Sequence, residues 1–558
     1  MGGLDYTIIG VYLAAMAAVG FVLQRRAARG MQDYFLSGKG LPWWLAGTSM
    51  AATGFSADTP LYITDITRQG GLGANWEWWC YAIGSAFSVY FLARLWRRAG
   101  VLTDVELSEL RYGGFGARLL RGFRALTFSV FVNCLAMALV VKAIVSILSD
   151  AFGVDPTWLV PISLVVTAAY SLMSGFWGVV VTDFIQFLLA MAGAIALAVA
   201  TLGAVGGLDG LSDKLAALPQ SPLNFLPRAG DGVWESLPAM VALIFGVQWW
   251  AFINSDGGGK VIQRQLACRD EREAARATLW FTATHYALRV WPWLIVALAS
   301  LVLLPADADG PRAYVTVMLQ VMPDGWRGFM IATFLAAFMS TIDTQLNWGT
   351  SYFVNDFYAR FIRPRSSDRH LVRVSQLVGL AFLGLTALLA FTAESVTSIF
   401  RFILSMGAGV GPIYILRWFW WRVNAWTEIT AMTSSMVVAT LCRLSGLDLR
   451  ASLVVTLGIS LPLALAVTYL TPPVDTERLR AFVARTRPFG LWAKFRAPDS
   501  RPDPVGPALV GWLACAASVF LMLFGVGWLL FGQAWLGGLA LAAAIVCGWI
   551  ALRAAERA

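Results

Sequence analysis

Apolar runs close to the ~20 residues that carry a helix across a bilayer recur along this whole chain, and about fifteen can be counted. Numbered from zero, the first covers about residues 5–24. Spans 1 to 5 fall at about 43–67, 73–94, 125–148, 158–174 and 178–204, and spans 6 to 10 at about 237–262, 277–303, 327–358, 372–393 and 397–420. Four more follow near 425–442, 452–471, 508–531 and 534–553. The pattern predicts an all-α polytopic membrane protein. Two spans are interrupted by polar and helix-breaking residues: AATGFSADTP in the middle of span 1, and QWWAFINSDGGGK at the middle and inner end of span 6. Gly and Pro also serve packing and kinks in membrane helices, but both interruptions here carry an acid, Asp58 and Asp256. The two spans stand five apart, an odd offset, so the halves they begin enter the membrane from opposite sides. Such paired breaks are the sequence mark of an inverted-repeat transporter with its binding site at the breaks.

Charge sharpens the topology. The formal net charge of +9 gathers in alternate loops, at Arg25–Arg29, Arg94–Arg124, Arg264–Arg276, Arg360–Arg373 and Arg478–Arg501. This is the positive-inside signature and gives no reason to expect nucleic acid. It places the N-terminus outside and the C-terminus in the cytoplasm of a cell membrane, plasma or inner. The first apolar run, with Asp5 before it and Arg25-Arg26 after it, does not read as a cleavable signal. The loop at 472–505 is basic, and its ERLRAFVARTR segment is expected to lie on the membrane surface. The six cysteines have no paired spacing, which supports neither a disulfide framework nor a metal cluster. No appended soluble domain and no obligatory protein partner are indicated; the expected surroundings are lipid.

Within span 8, LAAFMSTIDTQL gathers small hydroxyl residues and a carboxylate. At about 100° per residue, Ala337, Ser340, Thr341 and Thr344 share one stripe, with Asp343 beside it. Oxygen donors among small neighbours suit a hard cation stripped of most of its water. The same hydroxyls could serve only to bond the preceding carbonyls or to pack helices. Asp343 favours the cation, since an ionisable group at membrane depth costs about 2.5–3.5 kcal/mol and usually faces a pathway. A second polar set joins His285 and Arg289, one helical turn apart on span 7, to Glu77 among Trp76, Trp78 and Trp79 on span 2. An acid, a base and aromatic walls suit a polyhydroxylated, zwitterionic or carboxylated solute. An internal salt bridge or a snorkelling Arg is the alternative.

SGKGLPWWLAGTSMAATGFSA, NWEWW, GFWGVVVTDFIQ, VIQRQLACRDEREA and LAAFMSTIDTQL together resemble the sodium:solute symporters, whose members include sodium/sugar, sodium/proline and sialic acid transporters. The resemblance covers spans 0 to 10. It implies a LeuT-type five-plus-five inverted repeat: an extra N-terminal helix and link (1–40), a first repeat (41–205), a second repeat (206–423) and about four additional C-terminal helices (424–558). It implies a main sodium site at the carbonyls of Ala52 and Phe55 with Ala337, Ser340 and Thr341. A second sodium, bound in some members, would fall at Asp183, Ser340, Asp343 and Thr344, so one ion or two are implied. The positions that bind sugar in the family correspond to Thr59, Glu77, Ala251, Asn254, His285 and Leu404. Of these Glu77 alone is clearly retained and His285 is a partial substitute, so a galactose-like solute is not implied. The substrate-binding set expected here is Thr59, Glu77, Asn254, His285 and Arg289. The expected function is sodium-coupled symport of a small polar organic solute (sugar acid, sugar, amino acid or carboxylate) by alternating access. A proton-coupled carrier of the same fold and a solute sensor without net transport remain the alternatives. An enzyme is not expected, because no nucleophile–base pair or metal-ligand cluster is visible.

Overall fold

The structure, a computed structural model, describes residues 1–27, 39–227, 236–251, 256, 259–392, 396–498 and 503–557. Every regular element among them is helical. Helix α1 (Gly3–Ala27) packs against the two long helices that carry Asp183 and the span 8 stripe. Span 1 is two helices, α2 (Trp43–Thr53) and α3 (Asp58–Gly70), separated by Gly54–Ala57. The break follows from the sequence. Pro60 has no N–H to give to a helix running through Ser56, and sits well only in a first turn, where α3 places it. Asp58 opens that turn, where a carboxylate complements the helix dipole.

Span 2 is also segmented, with short helices at Trp76–Trp79, Tyr81–Phe87 and Ala93–Ala99 around a π-type turn at Ser88–Leu92. Span 3 is α4 (Asn133–Phe152), which continues a helical stretch beginning at Gly114. Spans 4 and 5 differ from expectation. One helix, α5 (Pro156–Val205), runs through 50 residues where two were expected. No proline follows Pro161 within it, and Gly175 by itself is a weak interrupter.

Span 6 is broken as span 1 is. Helix α6 (Leu237–Gly246) gives way to a 3₁₀ turn at Gln248–Trp250, and the next described helix is α7 (Gly259–Ala267). Gly259 has no room for a side chain, since a Cβ there would collide with the Trp348 indole of span 8. Span 8 is α8 (Trp326–Ser351), extended by π-type turns to Ile362 and buried along nearly its whole length. Span 10 is α9 (Val396–Phe419).

Among the described residues nine helices are long and apolar enough to cross a bilayer, with three shorter apolar ones. The fifteen expected are not reached by length alone, because spans 1, 2 and 6 are built from pieces. After residue 424 come helices Ala425–Leu444, Leu449–Leu470, Val505–Leu530 and Ala534–Arg557, the last two forming a hairpin.

The segment expected on the membrane surface is instead docked on protein. Helix α10 (Thr476–Thr486) buries Leu479, Phe482 and Val483. The Arg111 guanidinium stacks on Phe482 and Trp492 at 5.4 and 4.8 Å. Its amphipathic pattern was legible; the partner for its apolar face was another part of the chain.

Around Arg111 lies a buried ionic network at the Arg-rich end of the bundle. Arg417 pairs with Asp256 and, at 3.2 Å, with Glu428. Arg124 pairs with Glu428 at 3.0 Å and with Asp104 at 3.2 Å. Tyr112 donates to Glu428 at 2.6 Å. Asp256 belongs to the break of span 6, so this network holds that break to α9 and to the helix after it.

Candidate functional site

Unwinding at Gly54–Ala57 leaves α2 with carbonyls that lack helical partners. Cationic side chains from the second half of the chain take several of them. Arg289 donates to the Ala51 carbonyl at 2.8 Å and the Gly54 carbonyl at 2.6 Å. Lys260 approaches the Thr53 carbonyl at 3.5 Å. The Ala52 carbonyl accepts the Phe55 N–H at 2.8 Å, which uses one of its two lone pairs. Gly54 is required here, because a Cβ would collide with the imidazole of His285, itself against Arg289.

The break faces a central cavity of about 300 Å³. Ser56, Asp58 and Thr59 line it from span 1, Lys260 from α7, His285 from span 7, and Thr341 and Gln345 from α8. Trp78, Trp249 and Trp348 are among its aromatic walls. Of the expected substrate set, Thr59 and His285 line this cavity, and Arg289 stands behind His285 on the α2 carbonyls. Asn254 lies outside the described residues.

Glu77 does not join them, which corrects the expectation. Its carboxylate pairs with Arg401 at 2.9 Å and accepts from Tyr62 at 2.7 Å. The short helix Trp76–Trp79 turns Glu77 toward α9, so its charge is answered there rather than by His285 or Arg289. The internal salt bridge considered for that basic pair is not formed.

The span 8 hydroxyls are arranged to offer lone pairs. Ser340 donates its proton to Asp183 at 2.5 Å, and Thr341 donates to the Ala337 carbonyl at 3.0 Å. With each proton committed, the remaining oxygen lone pairs are available to a cation. Thr341 shares the cavity wall with Thr53 and Gly54, so the oxygen donors of α2 and α8 face one space.

The residues expected at a second sodium are differently engaged. Arg264, fully buried, reaches Ser49 at 3.0 Å, Thr53 at 3.3 Å, Asp183 at 3.2 Å and Thr344 at 2.7 Å. A guanidinium therefore stands among the oxygen atoms expected to hold that ion. Asp343, also buried, lies within electrostatic reach of Tyr12 in α1.

Three of these residues were not singled out from sequence. Lys260 sat at the end of a glycine run, Arg264 in a basic motif and Arg401 near the start of span 10. The available signal was a cation inside an otherwise apolar span, which marks a pathway or a buried partner.

A model of the sodium:solute symporter family matches residues 34–437. The chain is 25% identical over 465 residues to a sodium/glucose cotransporter of Vibrio parahaemolyticus, covering 78% of this chain and 84% of that one. It is 27% identical over 471 residues to the sodium/sialic acid symporter of Proteus mirabilis, covering 80% and 91%. A solved structure of a Na⁺-coupled sialic acid symporter in a substrate-bound outward-open state superposes with a TM-score of 0.71 at 24% identity. That match covers 85% of this chain and 99% of the other. The fold is thus LeuT-type. A multi-pass helical bundle with two facing breaks, matched by the family over most of its length, is a transporter and not an enzyme, and the chain belongs to the sodium:solute symporter family.

Proposed function

We propose that sodium and solute bind at the break of span 1, the ion between α2 and α8 and the solute in the adjoining cavity. The ion takes the Ala52 and Phe55 carbonyls with Ala337, Ser340 and Thr341. Thr59 and His285 contact the solute, and Arg289 holds the unwound backbone that presents them. The observation that carries this reading is the shared cavity wall: the carbonyl-bearing turn of α2 and the Thr341 hydroxyl of α8 face the same space. One ion per cycle is proposed, because Arg264 already supplies the positive charge beside Asp183.

The two units that move are 41–205 and 206–423, and the shell draws ligands from both. An ion there favours one arrangement of the halves, so sodium and solute raise each other's affinity by the same factor. By the positive-inside rule we take the Arg-rich end as the cytoplasmic one, with the N-terminus outside and the C-terminus in the cytoplasm of a plasma or inner membrane.

The test is solute uptake into liposomes with and without a sodium gradient. The double change Ser340→Ala and Thr341→Ala removes two ligands and should raise half-saturation for sodium about tenfold or more. Uptake indifferent to sodium but driven by a proton gradient would overturn the sodium reading in favour of proton coupling.

A further inference from the structure

Lys260 opens from the first turn of α7 into the central cavity. An ammonium has three donors, yet its contact with the protein is the long 3.5 Å approach to the Thr53 carbonyl. Asp58 lies within its electrostatic reach without closing to an ion pair. Arg289 is 1% exposed and meets carbonyls and His285, and among the described residues no carboxylate pairs with it. In contrast, Arg264 is paired with Asp183 and Arg401 with Glu77. Among the described residues, the cations nearest the cavity are thus the ones without a paired anion.

The charge inventory points the same way. With Asp256 set aside, since Arg417 already neutralises it, the breaks and the helices packed on them carry three cations, Lys260, Arg264 and Arg289, and three carboxylates, Asp58, Asp183 and Asp343. The set is neutral. One bound sodium ion would leave it with a positive excess, which is unfavourable where water is scarce. A solute with a single negative charge cancels that excess, whereas a neutral sugar or a zwitterion leaves it. Ser56 and Asp58 line the same wall close to one another, and their oxygen lone pairs can accept from hydroxyl groups on the solute.

We infer that the solute is a small hydroxylated monocarboxylate, a hydroxy acid or sugar acid, with its carboxylate held by Lys260. This rests on the one-sodium symport reading above. Tryptophan faces supply the apolar side of the site. Lys260 acts as the discriminating group, since a charge-assisted hydrogen bond is about twice as strong as a neutral one.

The experiment uses the purified full-length protein and matched probes: D-glucuronate against D-glucose, and D-lactate and D-gluconate against L-alanine. Thermal stabilisation is measured with sodium present. The monocarboxylates should stabilise at concentrations at least tenfold below their uncharged or zwitterionic counterparts. Lys260→Met should weaken the monocarboxylate response by about ten- to a hundredfold and leave the neutral probe unmoved. Lys260→Arg should keep the preference.

Stabilisation by sodium alone, retained in Lys260→Met, shows that the variant is folded. In liposomes, sodium-driven uptake of the preferred monocarboxylate should be insensitive to an imposed membrane potential. A panel in which no monocarboxylate binds overturns the inference. So does a preference for glucose or alanine, equal losses for both probe classes in Lys260→Met, or uptake that carries net charge. Loss of all sodium dependence in the unaltered protein would instead overturn the symport reading.

Discussion

The two ends of the cavity are closed in different ways. At the Arg-rich end, Arg417, Arg124, Glu428, Asp256 and Asp104 form a network sealed from solvent, with Arg417 and Arg124 each answered by carboxylates. At the opposite end, the pair between Glu77 and Arg401 is backed by Tyr62 and Phe400, whose rings lie 4.7 Å apart. The Arg401 side chain is 37% exposed. A buried pair is expensive to break by removing one partner, while a pair in contact with solvent contributes little. The difference implies that the thin closure yields first, and that the thick one opens only when the break of span 6 releases Asp256.

The largest effect should come from the thick closure. Arg417→Met leaves Glu428 and Asp256 without their main partner and should lower stability by about 3–5 kcal/mol, read as thermal unfolding in detergent. Replacing Glu428 by Leu in the same chain should recover part of the loss. If Arg417→Met unfolds no earlier than the unaltered protein, the network is not what holds that end shut.

Next in size is the knot between the two closures. Arg264→Met exposes Asp183, Ser340 and Thr344 to one another without a cation, and the protein should become less stable in sodium-free medium. Sodium should restore it by about 2.7 kcal/mol at a hundred times its dissociation constant. Sodium dependence of uptake should also steepen, because the vacated oxygens can hold a second ion. An unchanged steepness would separate Arg264 from ion counting.

A smaller effect is expected at the thin closure. Glu77→Gln should change stability by less than about 1 kcal/mol. It should nevertheless speed labelling of a cysteine placed at Thr59 by a reagent added from the Glu77 side. Equal labelling rates would mean that the aromatic pair, not the ion pair, limits access.

A pH effect at the thick closure is read separately, as a slope rather than a single loss. Burial pushes the Asp104 carboxyl up to about 7, against the pull of the Arg124 guanidinium. A raised carboxyl pKa means the folded protein holds a proton that the unfolded chain has already lost. The associated stability is full below about pH 4 and declines as pH rises to about 7. Asp104→Asn should flatten that decline in a thermal-unfolding series.

The break of span 1 was legible because Gly54 and Pro60 oppose helix chemically, whatever surrounds them; in span 6 the described interruption begins at Val247, ahead of the glycine run. The oxygen stripe of span 8 was legible for the same local reason, its period. Direction was not legible. Nothing in NWEWW says whether Glu77 turns toward the cavity or toward Arg401, since the partner lies more than three hundred residues away. Lys260 escaped notice because it ends a glycine run that reads as a loop. The continuous α5 and the docked α10 show the same limit from the side of packing: hydropathy marks an apolar face without saying whether lipid or protein covers it.

One contact far from the cavity has a practical corollary. Asp5, in the first turn of α1, accepts the N–H groups of Gly325 and Gly328 at 2.7 Å each, and of Gly2 at 2.8 Å. It thereby caps the start of α8, and Gly328 has no room for a side chain against it. The first residues of the chain thus act as a fiducial for the helix that presents Ser340 and Thr341, setting how far that helix slides along its axis. Purification tags and fluorescent reporters therefore belong at the other terminus: an extension joined to Met1 would lever on the cap and report a disturbed sodium response as if it were native.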